Sequence, residues 1–283
     1  MTIYTLKRTE VITRAVGLPA FPAVVNEILC SIDDPEANLN VLVNFIRHDP
    51  VIAARVISFA NRAAQRTNNI AVVRDIYTAT SLIGMSHVRE IALVSSLGVF
   101  TMGILPSGFW QHSVAVSVAA QELAQHITAP IVSDFALIAG LLHDIGQLWL
   151  YRFYPAEFVQ ARALSLEKNI GIDVAEREIF AIDHAEIGAW LGEYWGLPSG
   201  IINAIRFHHQ PDAALSDLLV PVVSMAEVLS NALDLAGRSE NRVTQISSAA
   251  CEALGLSIDP SIQPLFGRIE ARSKYANEIF VNA

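Results

Sequence analysis

The stretch Phe135-Ala-Leu-Ile-Ala-Gly-Leu-Leu-His143-Asp144-Ile-Gly-Gln-Leu-Trp-Leu150 is apolar on nearly every side of a helical wheel, and its only ionisable groups are the adjacent His143 and Asp144. A helix that is hydrophobic all round belongs in an interior. A carboxylate placed there needs a partner, because an isolated buried charge is costly enough to force pairing or neutralisation. Taken alone, the dipeptide reads most simply as a satisfied core pair, hydrogen-bonded to other helices. The same shortage of charge runs through the whole chain. Its 283 residues are 52% hydrophobic and 17% charged, against about 25% charged in an ordinary soluble domain. That composition excludes disorder, and 15 Gly with 12 Pro exclude a collagen-like or loop-rich scaffold. A net charge of −9 opposes nonspecific attraction to nucleic acid or to an anionic membrane. Cys30 and Cys251 are too few for a disulfide framework and show neither CxxC nor Cys/His zinc spacing.

From Ile91 to Gln121 there is no Asp, Glu, Lys or Arg. The strongly apolar part, Ile91 to Leu105, is shorter than the roughly 20 residues that a bilayer needs, and Pro106-Ser107-Gly108 breaks it. Two core helices meeting at a turn are therefore expected, with no membrane span. The first ten residues mix charges into the chain and lack the apolar core of a secretory signal, so a cytoplasmic location is expected.

Helix signals punctuate the rest. Asp49-Pro50 reads as an N-cap followed by proline at the first helical position, opening a helix to about Ala64. Asp173-x-x-Glu176 and Asp183-x-x-Glu186 have capping-box spacing, and Ser199 is placed to cap a helix ending at His208-His209. The strand candidate Ile70-Ala-Val-Val73 is short and alone, and an unpaired strand is not stable. The fold class expected is all-α. Residues 17–104 form a multi-helix N-terminal subdomain, 105–235 an apolar helical bundle carrying most of the chemistry, and 236–283 a C-terminal helical extension.

His112 lies in the uncharged stretch, His184 follows the proposed cap Asp183, His208-His209 ends a helix, and Glu227 is the only acid in Leu218–Leu229. Each has a simpler account than metal ligation. His112 fits a core histidine bonded to a carbonyl, His184 and Glu227 fit the surface, and the histidine pair suits the negative end of a helix dipole. Jointly, however, five of eight histidines and two carboxylates fall on successive helical segments of one apolar region. Helical bundles hold metal with that ligand supply. Imidazole and carboxylate without thiolate suit iron, manganese, zinc or nickel. On a helix, His143 and Asp144 would point about 100° apart and still approach one ion. An Asp bridging two metals is the form such a site takes in phosphoryl transfer. The residues by themselves leave a polar core and a metal site both open.

In order and spacing, His112, His143-Asp144, His184 and His208-His209 resemble the HD superfamily of metal-dependent phosphohydrolases. Leu18-Pro-Ala-Phe-Pro22, the run Arg47-His-Asp-Pro-Val-Ile-Ala-Ala-Arg-Val-Ile-Ser-Phe-Ala-Asn61 and Ser81-Leu-Ile-Gly-Met-Ser86 resemble the N-terminal half of one branch, the HDOD (HD-related output domain) family. The resemblance covers about Leu18 to Ser230. It implies an all-helical bacterial signalling protein, with the N-terminal subdomain packed on an HD-like bundle. By likeness to binuclear HD-GYP phosphodiesterases, it implies metal ligands at His112, His143, Asp144, His184, His208 and His209, with Asp144 bridging. Glu227 stands where the superfamily has its closing Asp. The implied cofactor is a divalent transition metal, iron or manganese before zinc or nickel, in a mononuclear or binuclear centre.

Two departures bear on activity. The lysine that HD-GYP enzymes place three residues after the Asp is Gln147, and Gln-Pro-Asp-Ala-Ala-Leu replaces the Gly-Tyr-Pro loop after His209. The leading expectation is thus a signalling module that works through protein partners and keeps a metal centre. The alternative is an active metal-dependent phosphohydrolase or phosphodiesterase on a nucleotide or cyclic nucleotide, with Arg206 the nearest candidate cation and a nucleotide or phosphoester as its ligand. The segment Thr80–Glu90 has helix–turn–helix character around Gly84, but two core helices joined by glycine explain it equally well, and the acidic charge opposes DNA binding. No nucleic-acid partner is expected.

Overall fold

A computed structural model describes residues 4–18, 22–31, 38–66, 72–101, 108–127, 133–236, 243, 246–257 and 259–280. Among these residues there is no strand. The α-helices are α1 (Arg8–Ala15), α2 (Ala23–Ser31), α3 (Asn38–His48), α4 (Pro50–Arg66), α5 (Ile76–Ile83), α6 (Met85–Thr101), α7 (Phe109–His126) and α8 (Ser133–Leu142). They continue as α9 (Ile145–Phe153), α10 (Pro155–Lys168), α11 (Ile172–Phe180), α12 (His184–Tyr194), α13 (Ser199–Phe207), α14 (Leu219–Ala232), α15 (Ser248–Ala253) and α16 (Gln263–Phe280). Two compact units result: Met1–Pro19 with Gly103–Asn277, and Ala20–Met102 with Glu278–Ala283.

In the smaller unit the Asp49 carboxylate accepts from the Ile52 amide at 3.0 Å, which starts α4 at Pro50 as its sequence foretells. Val25, Ile28, Leu42, Val43, Ile46, Val56 and Ile91 are buried in its interior. Of the strand candidate, Ile70 and Ala71 lie outside the described residues. Val73 finds its partner in a side chain: Asn61 accepts from the Val73 amide at 2.8 Å and donates to its carbonyl at 2.9 Å. Helices α5 and α6 meet at Gly84, whose φ of 81° is the left-handed conformation that glycine adopts at little cost.

In the larger unit α7 packs on α8 and α14, while α9 and α13 pack on α12. Helix α1 joins this unit, and its Val11 carbonyl accepts from the indole of the fully buried Trp149 at 3.2 Å. The uncharged run from Ile91 to Gln121 supplies the end of α6 and most of α7, with Pro106 and Ser107 outside the described residues. No described helix is long and apolar enough to cross a membrane. His48, His87 and His126 are exposed, as their polar neighbours suggest.

Two helix starts differ from expectation. Pro198, not Ser199, precedes the first helical residue of α13, and no side chain caps it. Gly171 holds the N-cap position of α11 without a side-chain bond, leaving Asp173 to pair with Arg177 and Glu176 to enter the core.

The C-terminal part is fastened to α7 by Glu122, which is 5% exposed and accepts from Arg268 at 3.0 Å and Arg272 at 2.7 Å. Burial opposes ionisation of Glu122, but the two guanidiniums outweigh it and hold its pKa below the usual value. A folded-state pKa below the unfolded one gives stability that is present above the unfolded value, about 4.3, and is lost as pH falls through the folded one. Glu122→Gln should lower stability by about 1–3 kcal/mol at neutral pH, and the difference should shrink below about pH 4. Urea melts of both proteins at the two pH values check this.

Candidate metal centre

The apolar run containing His143 and Asp144 is not one helix. Helix α8 ends at Leu142, the two residues form a turn, and α9 begins at Ile145 with Asp144 as its N-cap. The His143 side chain takes part in the break, since its Nδ1 donates to the Gly140 carbonyl at 2.7 Å. Side chain and backbone thus compete for the same helical acceptors. The expectation of two neighbours 100° apart on a continuous helix is corrected accordingly.

The turn sits against the start of α12 at a distance that a side chain would forbid. A Cβ on Gly146 would lie 2.0 Å from the His184 carbonyl oxygen and 2.8 Å from the Gly188 amide nitrogen. Gly188 is confined less severely, a Cβ there lying 2.8 Å from the Ile205 side chain and 3.3 Å from the Gly146 amide nitrogen. The small residues let α9 and α12 approach until Asp144 Oδ1 is 3.1 Å from His184 Nε2. His184 itself is placed by Asp183, whose carboxylate accepts from the Glu186 amide at 2.9 Å and starts α12 where the capping pattern indicates.

All seven residues singled out in the sequence converge. His112 comes from α7, His143 and Asp144 from the turn, His184 from α12, His208 and His209 from the end of α13, and Glu227 from α14. Three groups have ligand atoms within 4.8 Å of one another: Asp144, His184, His208 and His209; His112, His143 and Asp144; and His143, His208 and Glu227. Asp144 belongs to two of them, with its Oδ2 3.4 Å from His143 and 3.7 Å from His112. His112, His143, Asp144, His184 and His208 are each at most 3% exposed. His209 and Glu227 are half-buried, 3.8 Å apart.

The spacing of Glu176 from Asp173 predicts a capping role. Glu176 is fully buried, and its Oε2 accepts from His184 Nδ1 at 2.6 Å and from the His184 amide at 2.8 Å. His208 Nδ1 likewise donates to the Ile205 carbonyl at 2.7 Å. With Nδ1 of His143, His184 and His208 committed outward, their Nε2 atoms face the centre. His184 Nε2 lies 3.3 Å from Nε2 of His208 and 3.0 Å from that of His209. Two lone pairs at such distances repel unless a proton or a metal cation lies between them, and with Nδ1 turned outward the convergent Nε2 atoms are a donor set that fits a divalent metal. The outward bonds are those that orient metal-ligating imidazoles.

Electrostatics agree. Burial opposes ionisation of Asp144, but His143, His184 and His112 outweigh it and hold its carboxyl well below the usual range. Burial also opposes charging of His184, yet Glu176 and Asp144 raise its proton affinity well above that of an ordinary imidazole. His208 and His209 are pushed well down by burial and by neighbouring imidazoles, which keeps them neutral and available as ligands.

The cluster opens onto a cavity of about 820 Å³. Asp144, His112, His208, His209 and Glu227 line it, and Phe109, Phe158, Leu166 and Ile172 give it an apolar side. Arg206 is not in its lining; it is bound to Glu186 at 3.0 Å and Glu193 at 2.8 Å. Gln147 and Arg162 are in the lining. Nothing in the sequence marks Arg162, a polar position on an amphipathic helix.

A helical bundle with histidines and one aspartate gathered at its centre defines an HD-like protein. The sequence profile of the HDOD domain matches residues 18–211, and the chain belongs to that family. A crystal structure of an HDOD domain protein from Geobacter sulfurreducens has the same fold, with a TM-score of 0.77, 23% identity, and coverage of 96% of this chain and 98% of that one. An uncharacterized protein of Treponema pallidum is 27% identical over 225 residues, which are 77% of this chain and 43% of its own length. Ribonuclease Y of Thermus thermophilus is 30% identical over 162 residues, 56% of this chain and 23% of the ribonuclease. The chain thus spans less than half the length of either curated relative.

The Gly146 contact gives a direct test. Gly146→Ala should separate α9 from α12 and cost at least about 1–3 kcal/mol by overpacking, read as a lower urea midpoint. Gly255→Ala serves as a comparison at a site with open space but strained φ.

Proposed function

We propose that His112, His143, Asp144, His184, His208, His209 and Glu227 hold a binuclear divalent metal centre, with Asp144 shared between the ions, and that the chain hydrolyses a phosphoester. The observation that carries this reading is the opening of the buried donor cluster onto a large cavity. Structural metal sites are closed by protein ligands, whereas catalytic ones keep an open position. Imidazole and carboxylate ligands without thiolate suit iron, manganese, zinc or nickel, and the family resemblance puts iron or manganese first. Bound there, the metal supplies Lewis acidity toward a phosphoryl oxygen and makes a nucleophile available at neutral pH.

The protein's own residues do the rest. Glu176 fixes the ring and tautomer of His184 through its two hydrogen bonds. Asp144 stays ionised amid the imidazoles. The apolar side of the cavity excludes water from the reacting end of a ligand and offers a surface for its organic part.

A second reading keeps the metal centre for regulation and assigns the output to protein partners, in the manner the HDOD resemblance implies. Gln147 favours it, since that position lacks the cation of the active relatives. The cell compartment expected is the cytoplasm.

Metal analysis after purification without added metal should find one to two equivalents of iron or manganese per chain. Under about a tenth of an equivalent, with no uptake on titration, would sink both readings. Glu176→Gln should weaken metal binding by about 10- to 100-fold, measured by competition with a chelator. The manganese- or iron-loaded protein should hydrolyse bis(4-nitrophenyl) phosphate, and His143→Ala and Asp144→Ala should abolish turnover. Metal uptake with no turnover on a panel of phosphoesters would leave the regulatory reading standing.

A further inference from the structure

Resting on the phosphoester reading, the walls of the cavity away from the donor cluster bear on what the phosphate is esterified to. Ten large apolar side chains stand exposed among the described residues. Three of them, Leu166 at 41%, Val174 at 39% and Val243 at 40%, line the cavity that also holds Asp144 and the histidines. A fourth, Ile246, lies in the chain between Val243 and Ser247, which both line it. Phe109 and Phe158 continue this lining with buried rings.

Core packing does not account for the exposed members of this group. On α11, Ala175, Glu176, Ile179 and Phe180 are buried and Val174 is not. On α10, Phe158 and Ala161 are buried, and Leu166 stands in the last turn outside that stripe. Single exposed apolar residues need no explanation, whereas several gathered at one concave site mark a surface that binds something apolar.

The charged groups of the same walls are already engaged. Asp173 is paired with Arg177, and Asp212 accepts from Ser247 Oγ. Arg162, the one Lys or Arg of the lining among the described residues, has its own interaction within the fold. Away from the metal donors, the described walls thus hold no cation in reserve for a second anionic group.

We infer that the ligand of this cavity is the ester of a single phosphate with a bulky apolar group, alkyl or aryl, which Leu166, Val174 and Val243 receive while the phosphate meets the metal centre. Apolar surface and donor cluster share one cavity of about 820 Å³, toward the upper end of the roughly 300–1,000 Å³ of ligand sites, so one molecule can occupy both. Polynucleotides and polyphosphates, with their repeated charges, do not suit these walls.

The test uses the full chain loaded with manganese, with metal content measured on every sample. Methyl, butyl and hexyl phosphate are titrated by calorimetry into wild type, Leu166→Ser and Val174→Ser, whose positions are on the surface. Full burial of a methylene favours binding about fourfold, and half-open walls should give about two- to fourfold per methylene from methyl to hexyl phosphate. Both variants should lower the affinity for hexyl phosphate at least threefold more than that for methyl phosphate. Hexane-1,6-diyl bisphosphate, which replaces the apolar end by a second charge, should bind wild type more weakly than hexyl phosphate. A second arm needs no metal: the uncharged dye N-phenyl-1-naphthylamine should fluoresce with the chelator-treated protein, and both variants should bind it at least threefold more weakly.

Equal affinities along the alkyl series in a chain that binds methyl phosphate would overturn the inference. So would equal losses for methyl and hexyl phosphate in the variants, tighter binding of the bisphosphate, or a wild-type dimer in light scattering that Leu166→Ser dissociates. A wild type that takes up no metal overturns instead the reading beneath, and with it the phosphate half of this inference; the dye then decides the apolar half.

Discussion

Asp144 is a carboxylate held at 3% exposure, and its ionised state depends on the imidazole of its neighbour His143 and on those of His184 and His112 brought to it from other helices. Desolvation of such a group costs several kcal/mol if uncompensated. The larger unit is arranged around that requirement. Helices α7, α12 and α13 each deliver histidine to the Asp144 carboxylate, and α14 adds Glu227 at the rim. The Gly146–Gly188 approach sets the depth at which Asp144 meets His184. Outward bonds to Gly140, Glu176 and Ile205 set the orientation of the rings. Packing and polar chemistry are thus one constraint here, because the helices that bury the carboxylate also carry its compensation.

Much of this was readable in the chain. A helix rich in apolar residues cannot carry an unpartnered His-Asp pair, and the remaining histidines fall in the same low-charge region. Short-range signals also worked where the chemistry is local, as at the Asp49 and Asp183 caps. They failed where tertiary contacts decide. An acid three residues after Asp173 has the spacing of a capping box, yet Glu176 is drawn inward by His184. The break between α8 and α9 carries no proline, and it follows from contacts of His143 and Asp144 that periodicity does not register. Arg162 was invisible for a related reason. A single arginine on an amphipathic helix resembles any solvated position until the cavity beside it is known.

The two units contrast in how they satisfy their polar groups. In the smaller one, local devices suffice: an aspartate cap on α4, another at Asp75 on α5, and the Asn61 amide that stands in for a strand partner of Val73. In the larger one, long-range pairs dominate, such as Glu122 with Arg268 and Arg272. The family resemblance joins these halves by motif alone. Their physical characters fit the gathering of the chemistry in the larger unit, where buried carboxylates such as Asp144, Glu176 and Glu122 find partners on other helices.

The donors of the centre are spread from position 112 to position 227, so a metal ion bound by them would close loops of a length that a protein more often closes with covalent bonds. Joining distant segments removes conformational freedom from the unfolded chain, and the gain grows with the length of loop closed. With two cysteines in 283 residues, the chain has little means of covalent cross-linking. The cluster around Asp144 would supply that staple in reversible form, making the compactness of the bundle responsive to the supply of metal in its surroundings.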